Sequence, residues 1–521
     1  MELKELIEGL PITDCKGNMN RKIDGIAYDS RKVTPGDLFV AIKGYAVDGH
    51  DFVRTALQKG ATAVVLEADL ESFHAQPDAT KKESAPTLIQ VPDSREALAR
   101  IAKRFYGEPY EGMRLIGITG TNGKTTTSYL LESILVAAHR CPGVIGTITY
   151  RMPGQTWEAG VTTPESLDLM RTLRTMGDGG VTDVIMEVSS HALDQGRTRE
   201  CPFRVAVFTN ISRDHLDYHR SMEAYFEAKA RLFKDLARRD GTKRSFAVLN
   251  LDDPMGGALK RATKAPVMTY GMQQKTDVRA EDVKCSKEGM TATLHTPEGS
   301  MEIRSRLMGD FNMYNIMAAA TAALALGVPL RTISSGIDSL GGVPGRMERV
   351  PHTGSGIFVV DYAHTPDALS KAIQAMRKHI TGRVITVFGC GGDRDRGKRV
   401  EMGRIAGRFS DVVVITSDNP RTEDPLAITE EIEKGVIESG LKDYRLELDR
   451  KRAISLAARM AEEEDGVLIA GKGHETYQII GGEKRPFDDR VVAANAASDR
   501  SDHGIDHPRA PAQRTQHVGE R

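Results

Sequence analysis

A glycine-rich segment with the sequence GTNGKTT, residues 120–126, follows an apolar run and precedes a helical one. Glycines let backbone N–H groups curl around phosphate oxygens, and a helix N-terminus adds positive potential. In such a loop Lys124 would reach the β- and γ-phosphates, and the Thr125 hydroxyl would hold Mg²⁺. Ile118 stands where the strict phosphate-loop pattern has glycine, so a glycine turn without phosphate is the alternative. The strand–turn–helix context favours the phosphate loop.

A lysine interrupts the apolar face of a helix predicted over residues 221–237. The apolar members of this face recur at helical spacing: Met222, Tyr225, Phe226, Phe233 and Leu236. Lys229 falls in the same row. One interpretation is a lysine whose stem lies along the core while its ammonium reaches water, and periodicity alone favours it. The other is that Lys229 faces the nucleotide site, where a carbamate formed from CO₂ would make it an oxygen ligand suited to Mg²⁺.

Two further polar side chains follow strands predicted in the same section. Glu187 ends the strand predicted over residues 183–188, and His215 follows the next one, within NISRDHLD. Ligands bind outside the carboxyl ends of parallel strands, so both could share metal ions with Thr125. Separately, each has a plainer interpretation, a solvated strand-end glutamate and a surface histidine.

Four loops leave four apolar strands in the last third of the chain. They are DYAHTP (361–366), GCGGDRDRGK (389–398), DNPR (418–421) and GKGHE (471–475). In a doubly wound sheet these loops lie on one rim. Arginines bind carboxylates through two parallel bonds and a glutamate binds an ammonium, so a pocket of Arg394, Asn419, Arg421 and Glu475 would suit an amino acid. A set of solvated turns is the alternative.

The order of elements predicts an α/β protein in several sections. Apolar strands alternate with helical segments from residue 114 onward, which is typical of parallel sheets. We place an N-terminal domain at 1–112, a central one at 113–343 and a C-terminal, Rossmann-like doubly wound one at 344–495, with a hinge at 341–345. Residues 76–86 are predicted to form a loop. Residues 496–521 have few apolar side chains, which predicts a disordered tail.

The composition sets the class of protein. A chain of 521 residues exceeds one hydrophobic core, so several domains are expected. A net charge of −1 argues against a nucleic-acid-binding surface spread over the molecule. The five cysteines lack paired spacing, which indicates reduced thiols. Neither a signal peptide nor a membrane-spanning run is found, so we expect a cytoplasmic protein without membrane insertion, and a monomer.

Taken together, these motifs resemble the Mur ligase family over about residues 1–492. The motifs that carry the resemblance are GTNGKTT, TTPE, MEVSSHAL, TNISRDHLDYH, YFEAKARLF, GRME, DYAHTPD, GCGGDRDRGKR, DNPR and GKGHE. The resemblance implies three domains, which bind the UDP end of a substrate, ATP and an incoming amino acid. It implies an ATP- and Mg²⁺-dependent ligase of peptidoglycan precursor synthesis. Meso-diaminopimelate would be added to the D-glutamate side chain of UDP-N-acetylmuramoyl-L-alanyl-D-glutamate through an acyl phosphate.

The resemblance also implies roles for individual residues. The catalytic set is Lys124, Glu187, His215 and Lys229, with Lys229 as a carbamate that binds metal together with Thr125, Glu187 and His215. The ATP set is Gly120, Thr121, Asn122, Gly123, Lys124, Thr125, Thr126, Asn312, Arg346 and His364. The UDP-substrate set is Ser30 and His50 near the uridine, then Thr162, Thr163, Ser189, Gln195 and Arg197. The diaminopimelate set is Arg394, Asp418, Asn419, Pro420, Arg421, Gly471 and Glu475.

Several alternatives stay open from the sequence. Family members that add lysine usually lack the arginine at the position of Arg421, which would pair with the distal carboxylate of diaminopimelate. A lysine-adding ligase is therefore the nearest rival. A folylpolyglutamate synthase shares the phosphate loop but should lack the N-terminal section and the DNPR loop. A nucleotide-dependent regulatory module would hydrolyse no ATP productively. Asn312 could instead be a plain helix N-cap.

Overall fold

The computed structural model describes residues 1–44, 47–73, 85–236, 245–286 and 288–498. These residues form two compact units. The first comprises Met1–Arg306 and Asp310–Val343, and the second comprises Leu307–Gly309 and the chain from Pro344 onward. The finer division of the first unit at residue 112 stays a prediction. Most of the loop predicted at 76–86 lies outside the described residues.

The N-terminal part of the first unit is a five-stranded sheet with order β1-β5-β4-β3-β2, in which only β1 is antiparallel to its neighbour. Its strands are β1 Asp14–Lys16, β2 Gly25–Ala27, β3 Asp37–Val40, β4 Ala63–Leu66 and β5 Thr87–Gln90. Its helices are α1 Leu3–Leu6, α2 Val53–Gln58 and α3 Ser94–Phe105, with short 3₁₀ helices at Ser30–Lys32, Gly49–Phe52 and Leu70–Phe73. Strands β3 and β4 are buried along their whole length, as expected for strands covered on both faces.

The central part is an eight-stranded sheet with order β13-β12-β11-β6-β10-β7-β8-β9. Its strands are β6 Arg114–Thr119, β7 Pro142–Ile145, β8 Thr149–Met152, β9 Gln155–Glu158, β10 Asp183–Glu187, β11 Phe203–Phe208, β12 Phe246–Asn250 and β13 Val267–Tyr270. The six strands from β13 to β7 are parallel, whereas β8 and β9 extend one edge as an antiparallel hairpin. Strand β6 thus lies between β10 and β11, which sets the ends of three polar loops side by side.

Eight helices and a small antiparallel sheet accompany this central sheet among the described residues. The helices are α4 Lys124–Ala137, α5 Ser166–Asp178, α6 Ser190–Asp194, α7 Leu216–His219, α8 Met222–Lys234, α9 Gly256–Ala262, α10 Phe311–Ala325 and α11 Leu330–Ser339. The small sheet is formed by β14 Arg279–Ser286, β15 Gly289–Thr296 and β16 Gly299–Ser305. Helix α8 begins after Ser221, whose side chain accepts a hydrogen bond from the Ala224 N–H as an N-cap.

The second unit is a doubly wound α/β domain with sheet order β17-β18-β22-β19-β20-β21. Its strands are β17 Glu348–Arg349, β18 Ile357–Asp361, β19 Val384–Phe388, β20 Val412–Ile415, β21 Tyr444–Leu446 and β22 Gly466–Ala470, followed by a hairpin of β23 Tyr477–Ile480 and β24 Glu483–Pro486. Its helices are α12 Pro366–Arg377, α13 Gly397–Phe409, α14 Pro425–Ser439, α15 Arg450–Met460 and α16 Asp489–Ser498. All sheet neighbours except β17 and β18 are parallel, so the predicted α/β class is confirmed.

The predicted start of the tail is wrong by three residues. Helix α16 extends to Ser498 because Ala493 and Ala497, one turn apart, are buried against the core of the C-terminal sheet. Residues 499–521 lie outside the described part of the chain. Within the described ranges, none of the helices has the length and apolar character that a bilayer crossing needs.

Candidate active site

The loop between β6 and α4 is held in close contact with its neighbours. Gly120 has φ +151°, and a Cβ there would lie 1.9 Å from Thr209 Oγ1. Gly123 has φ +87°, and a Cβ there would lie 2.2 Å from Asn315 Oδ1. Both positions therefore require glycine. The Asn122 N–H donates to Asn210 Oδ1 at 2.9 Å, which fixes the middle of the loop.

The polar side chains of this loop contact the loop backbone and the neighbouring helix α8. Lys124 Nζ donates to the carbonyl oxygens of Gly120, at 2.8 Å, and Thr121, at 2.9 Å. Thr121 Oγ1 lies 3.1 Å from the hydroxyl of Tyr225. Thr126 is buried in the first turn of α4. The predicted strand–turn–helix context is therefore present, with an ammonium folded over the loop backbone.

A cluster of oxygen atoms lies beside the loop, at the end of β10. Thr125 Oγ1 donates to Glu187 Oε2 at 3.0 Å. Thr147 donates to the same carboxylate twice, from its N–H to Oε1 at 3.0 Å and from its hydroxyl to Oε2 at 2.9 Å. The Thr162 hydroxyl lies 3.1 Å from that of Thr147. Glu187 is only 1% exposed, so the interpretation as a solvated strand-end glutamate is wrong.

Lys229 is buried in the same region and only 1% exposed. Its Nζ donates to the Gly120 carbonyl at 3.0 Å, the same oxygen that accepts from Lys124, and lies 4.5 Å from the ring centroid of Tyr225. Burial, followed by the charge of Lys124, lowers the pKa of Lys229 well below its ordinary value. The interpretation of an ammonium that reaches water is therefore wrong, because the side chain points into the phosphate-loop region.

His215 follows β11 in a left-handed backbone conformation, with φ +53°. Its ring packs edge-on against His191, with centroids 4.8 Å apart, and its Nε2 lies 3.4 Å from Asp214 Oδ2. Burial lowers the pKa of His215 to about 4, and the charge of Lys124 acts in the same direction. The ring is thus neutral at physiological pH and able to offer a lone pair to a metal ion.

The residues predicted for the muramoyl-dipeptide form one hydrogen-bonded group. Thr163 Oγ1 donates to the Glu187 carbonyl at 2.8 Å and accepts from the Ser189 N–H at 3.0 Å. Arg197 donates to the Thr163 carbonyl at 2.8 Å and to Gln195 Oε1 at 2.7 Å. This group begins on the Glu187 backbone, so the residues predicted for the dipeptide and those predicted for the metal are joined directly.

The two residues predicted for the uridine end lie in the N-terminal sheet region. Ser30 is 6% exposed and begins a 3₁₀ helix. His50 has both ring nitrogens engaged, since Nε2 accepts from the Glu67 N–H at 2.8 Å and Nδ1 lies 2.5 Å from Asp48 Oδ1. His50 therefore ties its own segment to the residue that follows β4.

The remaining nucleotide candidates fall in both units. Asn312 is 1% exposed and accepts at Oδ1 from Asn315 Nδ2 at 2.7 Å. The N-cap interpretation of Asn312 is wrong, because α10 begins at Phe311 and the Asp310 side chain caps it. In the second unit, the Arg346 guanidinium lies 4.6 Å from the centroid of the Tyr362 ring, and His364 Nδ1 lies 2.8 Å from the Tyr362 carbonyl.

The rim of the second unit holds a tightly bonded polar cluster. Asn419, 4% exposed, donates from Nδ2 to Glu475 Oε2 at 2.9 Å and accepts at Oδ1 from Lys472 Nζ at 3.1 Å. Lys472 Nζ also donates to Glu475 Oε2 at 2.8 Å and lies 3.7 Å from Asp418 Oδ1. Gly471 lies beside this carboxylate, since a Cβ there would be 3.6 Å from Asp418 Cγ.

Two arginines flank the same rim. Arg421 donates from Nη1 to the Gly392 carbonyl at 2.7 Å, and a Cβ on Gly391 would lie 2.9 Å from Nη1 and 3.8 Å from Arg394 Cγ. The Arg421 backbone is left-handed, with φ +52°, and is tied to β23 by its N–H, which donates to the Ile479 carbonyl. The Pro420 carbonyl faces Gly392 closely enough to exclude a Cβ there.

The oxygen cluster of the first unit fits a hard divalent cation. Hydroxyl and carboxylate oxygens converge at Thr125, Thr147 and Glu187, which are the ligand types that Mg²⁺ prefers. In the described part of the chain, no group of three His, Cys, Asp or Glu side chains could hold a metal ion. A cation here would therefore need hydroxyls, a modified lysine or substrate oxygens as additional ligands.

The sequence reasoning missed several residues of these clusters. Thr147 follows β7, the parallel neighbour of β10, and the rule applied to Glu187 would have found it. Asn315 lies one turn after Asn312 and against Gly123. Lys472 lies within the quoted GKGHE loop, where its neighbours were singled out instead. Tyr225, one turn before Lys229, looked like an ordinary core residue.

Comparison with known proteins identifies the family. Three family models match the chain: the Mur ligase family catalytic domain over residues 22–106, the Mur ligase middle domain over 118–323, and the Mur ligase glutamate ligase domain over 345–473. The UDP-N-acetylmuramoyl-L-alanyl-D-glutamate–2,6-diaminopimelate ligase of Geobacter metallireducens is 48% identical, covering 97% of this chain and 100% of its own length. The ligase of the same name from Geobacillus thermodenitrificans is 47% identical, covering 96% of this chain and 100% of its own length.

A solved structure supports the same assignment. It is a UDP-N-acetylmuramoyl-L-alanyl-D-glutamate–2,6-diaminopimelate ligase with 35% sequence identity and a TM-score of 0.68. The match covers 97% of this chain and 100% of that chain. On this agreement of sequence and fold, the chain belongs to the Mur ligase family.

Proposed function

We propose that the protein is an ATP-dependent ligase that adds meso-diaminopimelate to the D-glutamate side chain of UDP-N-acetylmuramoyl-L-alanyl-D-glutamate. The observation that carries the proposal is the placement of Lys229. Its amine is buried without an ion-pair partner among the described residues, and it shares the Gly120 carbonyl with Lys124. A neutral amine at a phosphate loop is suited to modification and not to binding phosphate directly.

The phosphate loop serves ATP. When nucleotide binds, Lys124 exchanges its two backbone carbonyl partners for phosphate oxygens, while loop N–H groups and the α4 N-terminus bind the remaining charge. Thr125, Glu187 and His215 would hold Mg²⁺, which when bound neutralises charge on the transferring phosphoryl group. Asn312 would lie near adenine, and Arg346 and His364 nearer phosphate.

Lys229 completes this site as a carbamate. The lowered pKa leaves a neutral amine, which attacks CO₂, forms an N–C bond and releases a proton to solvent. The product carries one negative charge where an ammonium would carry one positive charge. Its two oxygens supply the additional ligands that the oxygen cluster needs for a divalent cation.

The D-glutamate carboxylate of the UDP-linked substrate attacks the γ-phosphorus, ADP leaves, and an acyl phosphate forms. The amine of the amino acid then attacks the acyl carbon and loses a proton, and inorganic phosphate leaves. The dipeptide is held by Thr162, Thr163, Ser189, Gln195 and Arg197, and Ser30 and His50 lie toward the uridine. The bond from Thr163 to the Glu187 carbonyl supports this placement, because it joins the dipeptide residues to the metal residues.

The choice of amino acid rests on the rim of the second unit. Meso-diaminopimelate differs from lysine by a distal carboxylate, and the Arg421 guanidinium offers that carboxylate a bidentate partner. Asn419 and Glu475 lie in the same hydrogen-bonded cluster and provide a donor and an ammonium acceptor. Arg394, Asp418, Pro420 and Gly471 complete the pocket. Lysine offers Arg421 no carboxylate, so it lacks the ion pair that favours meso-diaminopimelate.

Phosphate release tests the ligase proposal against a nucleotide-dependent regulatory module. We expect release from ATP to require both UDP-N-acetylmuramoyl-L-alanyl-D-glutamate and meso-diaminopimelate. Lys234→Met, which changes an exposed lysine on the same helix, is the matched control for Lys229→Met and should behave like the wild type. Hydrolysis that is indifferent to both substrates would favour the regulatory module.

The setting of the reaction is part of the proposal. ATP and UDP-linked precursors are cytoplasmic metabolites, so we propose that the enzyme works in the cytoplasm and as a monomer. Sedimentation of the purified protein tests the second point. A concentration-independent mass of one chain is expected, and a stable dimer contradicts it.

A further inference from the structure

Lys472 is a buried cation in the rim cluster of the second unit. It is 0% exposed and lies two residues after the end of β22. Its Nζ donates to Glu475 Oε2 at 2.8 Å and to Asn419 Oδ1 at 3.1 Å, and Asp418 Oδ1 lies 3.7 Å away. The ring of Tyr477 lies below it, 5.6 Å from Nζ to centroid. Because no surface of Lys472 is open, it acts on a ligand only through these neighbours.

Lys472 fixes which way the amide of Asn419 faces. Oδ1 accepts from Lys472 Nζ and from the Ile479 N–H, at 2.9 Å, so both acceptor positions of this oxygen are filled. The NH₂ group must then lie on the opposite side, where one hydrogen bonds Glu475 Oε2. The other hydrogen has no acceptor among the described residues. The Asn419 amide could be oriented in two ways, and these bonds fix the one in which its NH₂ group is the donor. A carboxylate ligand needs such a donor.

Lys472 also fixes the carboxylate of Glu475. Its Oε2 accepts from both Lys472 and Asn419, whereas Oε1 receives no hydrogen bond from the described residues. The Glu475 side chain remains 17% exposed. One oxygen is thus anchored inside and the other is available to an ammonium. Lys472 therefore holds the Asn419 donor and the Glu475 acceptor side by side.

We propose that Lys472 is a positioning residue that sets the amino-acid pocket for a ligand end bearing both a carboxylate and an ammonium. The inference rests on the proposed function and adds a specificity role to a side chain that never contacts substrate. Without the ammonium, the negative charges of Asp418 and Glu475 lose the cation that lies between them. That charge repels the distal carboxylate of meso-diaminopimelate and leaves lysine, which has no such carboxylate, less affected.

Lys472→Met tests the inference, because methionine keeps the unbranched stem and removes the charge. We expect the KM for meso-diaminopimelate to rise about 10- to 100-fold, the range for losing hydrogen bonds to charged groups. The KM values for ATP and for the UDP-linked substrate should stay unchanged. The ratio of kcat/KM for meso-diaminopimelate to that for L-lysine should fall. Lys371→Met, an exposed lysine on α12 paired with Asp367, is the matched control and should change none of these values.

A double-mutant cycle separates positioning from a purely structural role. If Lys472 acts through Asn419, then Lys472→Met in an Asn419→Ala background should raise the KM for meso-diaminopimelate far less than it does alone. Should Lys472→Met fail to fold, Lys472→Gln, which keeps a neutral donor, carries the same cycle. Equal effects in both backgrounds, or a uniform loss for all three substrates, would overturn the inference.

The test distinguishes this inference from the proposed function. If the wild type incorporates meso-diaminopimelate and Lys472→Met leaves its KM and the preference over lysine unchanged, only the positioning role is refuted. If the wild type incorporates no meso-diaminopimelate, the proposed function itself fails.

Discussion

Each of the two units buries a lysine beyond the carboxyl end of a central strand of its main parallel sheet. The two lysines have opposite kinds of partner. Lys229, in the first unit, bonds a backbone carbonyl and faces an aromatic ring. The charge with the largest effect on its pKa is that of another lysine, Lys124. Lys472, in the second unit, bonds a carboxylate and an amide oxygen. The first environment favours a neutral amine, whereas the second surrounds the amine with acceptor oxygens.

The difference shows how burial alone leaves the role of a lysine undetermined. A neutral buried amine can react, and Lys229 accordingly lies where a carbamate would meet the phosphates and the metal. A paired ammonium is chemically inert but fixes the directions of the groups around it, which is the role inferred for Lys472. The partners of a buried lysine, and not its depth, separate reaction from positioning.

The largest expected effect comes from removing the amine of Lys229. Lys229→Met should lower kcat by about 100- to 1000-fold, the range for losing a preorganised group at a developing charge. A short-chain carboxylate added to the assay should restore part of the activity by replacing the carbamate oxygens. Steady-state phosphate release measures both. A fully active variant would refute the carbamate proposal.

Arg421→Gln addresses the selectivity of the other unit. Glutamine keeps much of the side-chain length and tolerates the left-handed backbone no worse, while it removes the guanidinium. We expect the kcat/KM for meso-diaminopimelate to fall about 10- to 100-fold with that for L-lysine little changed. Arg404→Gln, which breaks an exposed ion pair with Glu438 on α14, is the control. Unchanged preference would show that Arg421 does not read the distal carboxylate.

Stability measurements compare the two lysines directly. Lys472→Met removes the cation between Asp418 and Glu475 and should lower the free energy of unfolding by about 2 kcal/mol, within the range for a buried polar group that loses its partner. Lys229→Met replaces an amine without an ion-pair partner and should leave the free energy of unfolding equal or higher. Chemical denaturation of both variants beside the wild type measures these values. Equal losses would remove the distinction between the two sites.

The smallest expected effect is a dependence of the free energy of unfolding on pH. Because its pKa is lowered in the folded state, Lys229 binds fewer protons there than in the unfolded chain at pH values between that pKa and 10.5. In CO₂-free buffer the wild-type free energy of unfolding should therefore rise with pH across this window, by at most about 1.4 kcal/mol per pH unit from this group. Lys229→Met should lack that contribution and Lys234→Met should keep it. Identical slopes in all three proteins would contradict the lowered pKa.

The sequence predicted the elements better than the state of the side chains. The sheet predicted to begin at residue 114 does begin there, and the strand predicted over 183–188 occurs at Asp183–Glu187, because short apolar runs between polar loops leave little choice. The antiparallel hairpin β8–β9 was not predicted, since its strands are only half-buried or exposed and carry no apolar alternation.

The periodicity of apolar residues in the sequence could not predict how deeply a polar side chain is buried or which partners it bonds. The helical spacing predicted Lys229 on the inner face. Only the packing of Tyr225 and the Gly120 carbonyl around its amine shows that the amine is buried. Lys472 escaped notice because a lysine between two glycines looks like a loop residue. Its partners Asn419 and Glu475 come from two different loops, and their meeting depends on how the strands are ordered.

The most direct test of the account is mass spectrometry of the product formed from ATP, UDP-N-acetylmuramoyl-L-alanyl-D-glutamate and an equimolar mixture of meso-diaminopimelate and L-lysine. The account predicts a UDP-linked product that has gained one diaminopimelate residue, together with ADP and phosphate. A product that has gained mainly lysine would contradict the role given to Arg421, and the absence of any amide product would contradict the ligase itself.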